Sequence, residues 1–114
     1  MPEIQTGKIL RIHVSEHDRY KGKVLYEAIV QACRDMQIAG ATVFQGLEGY
    51  GETAEIHRAH LIAHDQPILI TIVDTETQIL KLIPVLNEML DTSLMAISDV
   101  KMMRFQKIAP DNPV

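Results

Sequence analysis

The spacing of apolar residues along the chain predicts strands and helices in alternation. Strict alternation of apolar and polar residues predicts a half-buried strand over residues 8–14, with Leu10, Ile12 and Val14 on its buried face. The run ILITIV, residues 68–73, is almost continuously apolar and β-branched, which predicts a strand at the centre of a sheet. Two more strands are predicted over residues 41–47 and 97–105.

Helical spacing of apolar residues occurs in two segments. Residues 23–37 form the first predicted amphipathic helix, and we expect Gly40 just beyond it to end the helix. The second helix follows Thr75, which forms a capping-box pattern with Gln78, and runs to about residue 91. Pro84 lies inside this helix and is expected to kink it, because proline has no N–H to donate to the preceding turn.

The predicted order β-α-β-β-α-β is that of the ferredoxin-like sandwich, an α+β fold with two helices on one face of a four-stranded antiparallel sheet. We expect the domain to span residues 7–106, with flexible ends at residues 1–6 and 107–114. Because the central strand is apolar on both sides, the sheet face away from the helices also needs a cover. Copies of the same chain usually provide it, so the sequence predicts a homo-oligomer.

Composition narrows the class of protein. A length of 114 residues fits one domain, and a formal net charge of −4 without a basic stripe argues against nucleic-acid binding. No apolar run is long enough to cross a bilayer, and the polar N-terminus is unlike a signal peptide, so membrane insertion is not expected. The single cysteine, Cys33, cannot form a disulfide within the chain, which fits a reducing compartment and predicts a cytoplasmic protein. Its apolar helix position predicts a buried inert thiol.

The stretch GATVFQGLEGYGETAEIH, residues 40–57, contains the candidate binding loop. The strand there ends in a cluster of glycines, Gly46, Gly49 and Gly51, around Glu48 and Tyr50. Glycines remove Cβ atoms and permit positive φ, so the backbone can turn sharply or approach a partner closely. Two interpretations stay open on these residues alone: a ligand-contacting loop, or a bulged strand end with a solvated hairpin.

Several runs in a fixed order carry a family resemblance. DRYKGKVLYEAIV is followed by GATVFQGLEGYG, by the Ile56–His57 pair and by PILITIVD. Together they resemble a bacterial and archaeal family of unknown function whose members are PII-like, and the resemblance covers residues 7–105. It implies a ferredoxin-like fold and a homotrimer whose sheets pack around a central three-fold axis.

The resemblance also implies a function. In nitrogen-regulatory PII signal proteins, adenine nucleotides bind in clefts between subunits, and a long loop between the second and third strands docks on transporters or enzymes. Residues 46–65 occupy the position of that loop here. We therefore expect a signalling protein, not an enzyme, that binds a small anionic metabolite such as an adenine nucleotide. Its regulated partner would be a membrane transporter or an enzyme.

The expected ligand contacts combine loop residues for shape with cations of the last strand for charge: Gly46, Glu48, Gly49, Tyr50, Gly51, Lys101 and Arg104. PII proteins hold phosphates with a glycine-rich loop before the last strand. The matching run here, DTSLMAIS at residues 91–98, contains no glycine and begins with a carboxylate. A triphosphate held in the PII manner is therefore not expected.

A histidine pattern supports an alternative function. If residues 53–65 are helical, His57, His60 and His64 share one stripe, and neutral imidazoles bind zinc or copper. The stripe spreads over about 11 Å of helix, which is too far for the three histidines of one chain to converge on one ion. Around a three-fold axis, one histidine from each copy would suffice. The alternative function is thus a divalent-metal-binding trimer. The other interpretation of these histidines is a polar helix face that binds no ligand. No Ser-His-Asp or Cys-His spacing points to catalysis, and Asp74 is expected to cap a helix.

Overall fold

The structure, a computed structural model, describes residues 2–49, 57–58 and 66–105. Its elements in chain order are β1 (Gln5–Ser15), β2 (Arg19–Tyr20), β3 (Lys23–Val24), α1 (Leu25–Asp35), β4 (Gly40–Gln45), β5 (Glu48–Gly49), β6 (His57–Arg58), β7 (Pro67–Thr75), α2 (Glu76–Met89) and β8 (Leu94–Met102). The long strands and the helices follow one another as β-α-β-β-α-β.

The long strands form one antiparallel sheet in the order β4-β7-β1-β8. This order places the β-branched strand β7 beside β1 at the centre, as its apolar run predicts. The register pairs Ile70 with Ile12 and Ile72 with Leu10, so the two central strands bury their side chains on the same face. The structure confirms the predicted α+β ferredoxin-like fold.

One face of the sheet and the two helices enclose the hydrophobic core. The strand and helix side chains at its centre are fully buried: Leu10, Ile12, Ile70, Ile72, Ile29, Ile79, Leu82 and Leu86. Burying each of these side chains contributes about 1.5–3 kcal/mol to folding. Because the core forms from every second strand residue, the alternation read in the sequence fixes which face meets the helices.

The side of the sheet away from the helices is called the open face here. Strand register and alternation place the following residues on it: Thr42, Phe44, Leu69, Thr71, Val73, Ile9, Arg11, His13, Leu94, Ala96 and Ser98. Phe44 and Leu94 are 52% and 51% exposed in the single chain. An apolar surface of this kind is the one for which the sequence predicts a cover.

Helix α1 ends differently from its prediction. Gly40 does not terminate it; Gln37 adopts the left-handed conformation instead, with φ of 58°. The N–H of Ile38 donates to the carbonyl of Cys33 at 2.9 Å, and the N–H of Gln37 donates to the carbonyl of Arg34 at 3.0 Å. These two bonds form a Schellman motif, which satisfies the last carbonyls three residues before the expected glycine.

Helix α2 begins as predicted, because the Thr75 hydroxyl accepts the N–H of Gln78 at 3.4 Å. The helix passes through Pro84 without interruption. None of the helices in residues 2–49 and 66–105 is long and apolar enough to span a membrane.

Strand β8 starts and ends before the predicted range of 97–105. It begins at Leu94, which pairs with His13 near the end of β1, and it ends at Met102, which pairs with Gln5 at the start of β1. Because β8 lies at the edge of the described sheet, its pairing with β1 sets its limits. Phe105, predicted in the strand, lies beyond it and is 80% exposed.

Candidate functional site

The base of the candidate loop lies where β4 ends and β7 begins, here called the loop end of the sheet. The ladder between β4 and β7 closes at Gln45 and Ile68, and the N–H of Gly46 then donates to the carbonyl of Pro67 at 2.8 Å. Beyond this bond, the two-residue strand β5 pairs with β6, with Glu48 opposite Arg58. Both ends of the loop are therefore held together by backbone hydrogen bonds.

Of the two described glycines of the loop base, Gly46 allows a close approach and Gly49 makes an ordinary contact. A Cβ on Gly46 would lie 3.0 Å from the Cγ of Pro67, and one on Gly49 would lie 3.5 Å from the Cβ of Pro67. Among the described residues, the glycine with positive φ is Gly22, outside this cluster. Of the two uses that the sequence leaves open for these glycines, Gly46 therefore fits the close contact with a neighbouring segment. Tyr50 and Gly51 lie outside the described residues.

The predicted cations lie at the opposite edge, where β7 ends and β1 begins, here called the far end. Arg104 donates from Nη2 to the Oδ1 of Asp74 at 3.0 Å. The side chain of Asp74 is 1% exposed, and that of Arg104 is 59% exposed, so much of the guanidinium faces solvent. Lys101 is exposed and forms no ion pair with any residue in the described ranges.

Asp74 is the centre of the far end, and its expected role as a helix cap is wrong. Its Oδ2 accepts the N–H of Ala39 at 2.8 Å, and its Oδ1 accepts the N–H of Thr75 at 2.6 Å as well as Arg104. The cap of α2 is Thr75. The carboxylate therefore joins the turn after α1, the end of β7 and the segment after β8. The sequence carries a signal for this burial, since Asp74 continues the even-numbered positions of the buried face.

Lys8 adds a second charged group at the far end. Its Nζ forms a salt bridge with Asp99 on β8 and lies 3.9 Å from the Oε2 of Glu76. The hydrogen bond to the Asp99 carboxylate raises the pKa of Lys8 above its usual value. Charges of both signs thus alternate at this edge, which makes it less cationic than the sequence alone indicates.

The glycine cluster and the predicted cations do not meet within one chain. Pro67 lies at the loop end and Asp74 at the far end of the same strand, about 23 Å apart at the rise of an extended chain. A site that uses both Gly46 and Arg104 therefore requires two copies of the chain. This separation follows from the strand directions and is not visible in the linear sequence.

The predicted metal site lies mostly outside the described residues. The backbone of His57 belongs to strand β6, where it pairs with Gly49, so a helix that starts at or before His57 is wrong. His60 and His64 are outside the described residues. Within residues 2–49 and 66–105, no three histidine, cysteine or carboxylate side chains form a cluster that could hold a metal. Metal binding by the three histidines stays a prediction.

Comparison with known proteins places the chain. Residues 7–102 match the model of the DUF190 family, described as uncharacterized ACR proteins. The UPF0166 protein MJ1524 of Methanocaldococcus jannaschii is 35% identical over 96 residues, which are 82% of this chain and 88% of that protein.

Solved structures show the same fold at lower identity. CPII of Thiomonas intermedia K12, a nitrogen regulatory PII-like protein solved with ADP, AMP and bicarbonate, superposes with a TM-score of 0.65. The two are 18% identical, and the match covers 90% of this chain and 92% of CPII. The PII-like protein TTHA0516 of Thermus thermophilus gives a TM-score of 0.65 at 15% identity, over 88% of this chain and 92% of that protein. With its sequence match and its PII-like fold, the chain belongs to the DUF190 family.

Proposed function

We propose that this protein is a PII-like signalling protein of the cytoplasm that binds a small anionic metabolite and transmits its presence through the loop of residues 46–65. An adenine nucleotide is the first candidate, because CPII, which shares the fold, was solved with ADP and AMP. The protein has no catalytic role in this proposal. Its output is the docking of the loop on a transporter or an enzyme.

The observation that carries the proposal is the hydrogen-bonded base of the loop. Gly46 and Pro67 are joined by one backbone bond of 2.8 Å, and Glu48–Gly49 pairs with His57–Arg58 just beyond it. A ligand that contacts Gly46, Glu48 or Gly49 therefore touches the segment from which the loop departs. Differential binding to two arrangements of this segment would shift their populations, as ligand-coupled switches require.

The proposed assembly is a homotrimer built through the open face. Leu69 and Val73 of the central strand are half-buried on this face, and Phe44 and Leu94 are more exposed beside them. Contact between copies would remove this apolar surface from water. It would also allow the loop end of one copy to approach the far end of the next, which the separation of Gly46 from Arg104 requires.

Calorimetric titration of the 114-residue protein with ADP, AMP, ATP and bicarbonate tests the proposal. We expect ADP or AMP to bind and to slow hydrogen exchange at Gly46 and Gly49. Titration with ATP also tests the expectation that a triphosphate is not held in the PII manner. If none of these four ligands binds, the proposal is refuted.

Mixed oligomers test whether the site is shared between copies. Gly49→Val adds bulk at the loop end, where its Cβ would make only ordinary contact with Pro67. Lys101→Gln with Arg104→Gln removes the two predicted cations of the far end. Each variant alone should lose nucleotide binding. When the two are refolded together, about a quarter of the interfaces pair two intact halves, and binding should return at that fraction. If the mixture binds no more than its components, the site is not formed in this way.

A further inference from the structure

A short hairpin between β1 and α1 stands at the loop end of the sheet. The N–H of Asp18 donates to the carbonyl of Ser15 at 3.1 Å, and the N–H of Leu25 donates to the carbonyl of Asp18 at 2.8 Å, so the hairpin leaves and rejoins the fold at one point. Between these bonds, β2 pairs with β3, with Tyr20 opposite Lys23.

The turn of this hairpin has a defined backbone. Lys21 and Gly22, the two residues between the strands, both have positive φ, at 49° and 82°. Positive φ at both central residues is the mark of a type I′ turn, the two-residue connection that matches the twist of paired strands. The hairpin therefore presents its side chains in a fixed arrangement.

Positive charge is concentrated on the hairpin. Arg19, Lys21 and Lys23 are exposed, and none forms an ion pair with any residue that the structure describes. Neutral groups hold two of them: Arg19 Nη1 donates to the carbonyls of Glu16 and Asp18 at 3.1 Å each, and Lys21 Nζ lies 5.3 Å from the centre of the Tyr20 ring. In a chain with a net charge of −4, three cations in five residues form a distinct patch.

The carboxylates near this patch form no ion pair with it among the described residues. The side chain of Asp18 accepts the N–H of Ser15 at 2.9 Å, at the base of the hairpin. Glu16 meets Arg19 through its backbone carbonyl, and Glu27 lies in the first turn of α1. Glu48 is the carboxylate of strand β5. Within the part of the chain that the structure describes, the three cations therefore have no carboxylate as an ion-pair partner.

The hairpin lies at the loop end of the sheet, as the base of the loop does. Ser15, from which the hairpin departs, is opposite Pro67 in the register, and Pro67 binds Gly46. From β4 to β1 is two strand spacings, about 10 Å, whereas the far-end cations of the same chain are about 23 Å away along the strands. A nucleotide at Gly46 is therefore closer to the hairpin of its own chain than to Lys101 or Arg104 of that chain.

We propose that the cationic hairpin, residues 19–23, is the phosphate-recognition element of the loop-end site. The proposal rests on the function proposed above and assigns it a second set of contacts: the lysines of the hairpin bind the phosphate groups of a nucleotide held against Gly46 in the same chain. Lys21 and Lys23 act as charge contacts, and Arg19 supports them from the hairpin base.

Removal of the two lysine charges tests the proposal. The variant Lys21→Asn with Lys23→Gln keeps the turn, since asparagine tolerates positive φ better than lysine does. We expect its ADP affinity, measured by calorimetry, to fall at least about tenfold, as loss of charged hydrogen bonds predicts. The wild-type affinity should also fall as salt is raised, and the variant should respond less.

The matched control removes two cations elsewhere. Arg34→Gln with Lys81→Gln changes the net charge by the same amount from exposed positions on α1 and α2, and its ADP affinity should equal that of the wild type. Equal affinity of the hairpin variant and this control would overturn the proposal while leaving the proposed function intact. Failure of the wild-type protein to bind ADP and AMP would overturn this proposal, and failure to bind any of ADP, AMP, ATP and bicarbonate would overturn the proposed function as well.

Mixed oligomers locate the hairpin within the site. The hairpin and Gly49 lie in the same half, so mixing the hairpin variant with Gly49→Val should not restore ADP binding. Mixing the hairpin variant with the Lys101 and Arg104 variant should restore it. Restored binding in the first mixture would show that the hairpin serves another copy, and it would overturn the same-chain assignment.

Discussion

At the scale of single residues, Asp74 shows how a buried charge can hold distant segments together. Its carboxylate is 1% exposed and accepts hydrogen bonds from two backbone N–H groups and from Arg104. The Arg104 partner remains largely in water, so the ion pair itself contributes less than a fully buried pair would. The two backbone bonds matter more, because they join the turn after α1 to the end of β7 through a charged acceptor that is itself almost fully buried.

Replacement of Asp74 should therefore destabilise the fold more than replacement of its cation. We expect Asp74→Ala to lower the free energy of unfolding by about 3 kcal/mol and Arg104→Gln by about 1 kcal/mol, in urea denaturation. Asp74→Asn keeps an oxygen acceptor for Ala39 and should fall between them. A loss for Asp74→Ala no greater than that for Arg104→Gln would contradict this assignment.

Cys33 illustrates the opposite case, a titratable group that its surroundings keep neutral. It is 2% exposed against the core, and burial raises the pKa of its thiol to about 11 from an ordinary value of 9.0. The sequence predicts the burial of this residue correctly from its place in the apolar stripe of α1. A thiol held protonated in this way is a poor nucleophile.

The raised pKa predicts a stability difference at high pH. Between pH 9 and 11 the unfolded chain loses the thiol proton while the folded chain keeps it, so the free energy of unfolding falls as pH rises through this window. Relative to Cys33→Ala, which has no thiol to titrate, the wild-type protein should lose about 2–3 kcal/mol of its free energy of unfolding by pH 11 and nothing below pH 8. Denaturation of both proteins across this range measures the difference, and parallel curves would disprove it.

At the scale of elements, the sequence predicts the long strands and helices and the start of α2, but it misses several of the other ends. Apolar periodicity places the centres of β1, β7, α1 and α2, because these segments bury one face against the core. The ends depend on partners that are distant in sequence: β1 sets the limits of β8, and a backbone motif at Gln37 ends α1 before Gly40. Where β2 and β3 form their hairpin, the sequence indicates only a charged connection, since two-residue strands have no periodicity.

The left-handed Gln37 predicts a stabilising substitution. A non-glycine residue in this conformation costs about 1–2 kcal/mol, and glycine regains part of this at the expense of a more flexible unfolded chain. We expect Gln37→Gly to raise the free energy of unfolding by about 0.5–1 kcal/mol. Arg34→Gly, inside the last turn of α1, is the control and should lower it by about 1 kcal/mol. Thermal or urea unfolding of both variants separates the two effects.

At the scale of the whole molecule, the two faces of the sheet differ in what covers them. The helices cover one face, and the open face carries apolar side chains on every long strand. The fold and the need for a second cover were predictable, since consecutive apolar residues in a strand place apolar side chains on both faces of the sheet. The separation of Gly46 from Lys101 and Arg104 within one chain was not predictable, because it follows from the strand directions alone.

Charge on the open face should disrupt the proposed assembly. We expect Phe44→Glu with Leu94→Asp to convert the oligomer to a monomer in sedimentation experiments, because like charges would meet across each interface. Leu80→Asp is the matched control, since Leu80 is 55% exposed but lies on α2. A variant that sediments as the wild type would place the interface elsewhere.

The bond between Gly46 and Pro67 also bears on how this family can vary. With both ends fixed at the sheet, the intervening segment can gain or lose residues without changing any strand register. Each doubling of such a segment costs only about 0.6 kcal/mol of closure entropy. The scaffold can therefore accept insertions, deletions and transplanted sequences between these two residues while its core stays the same.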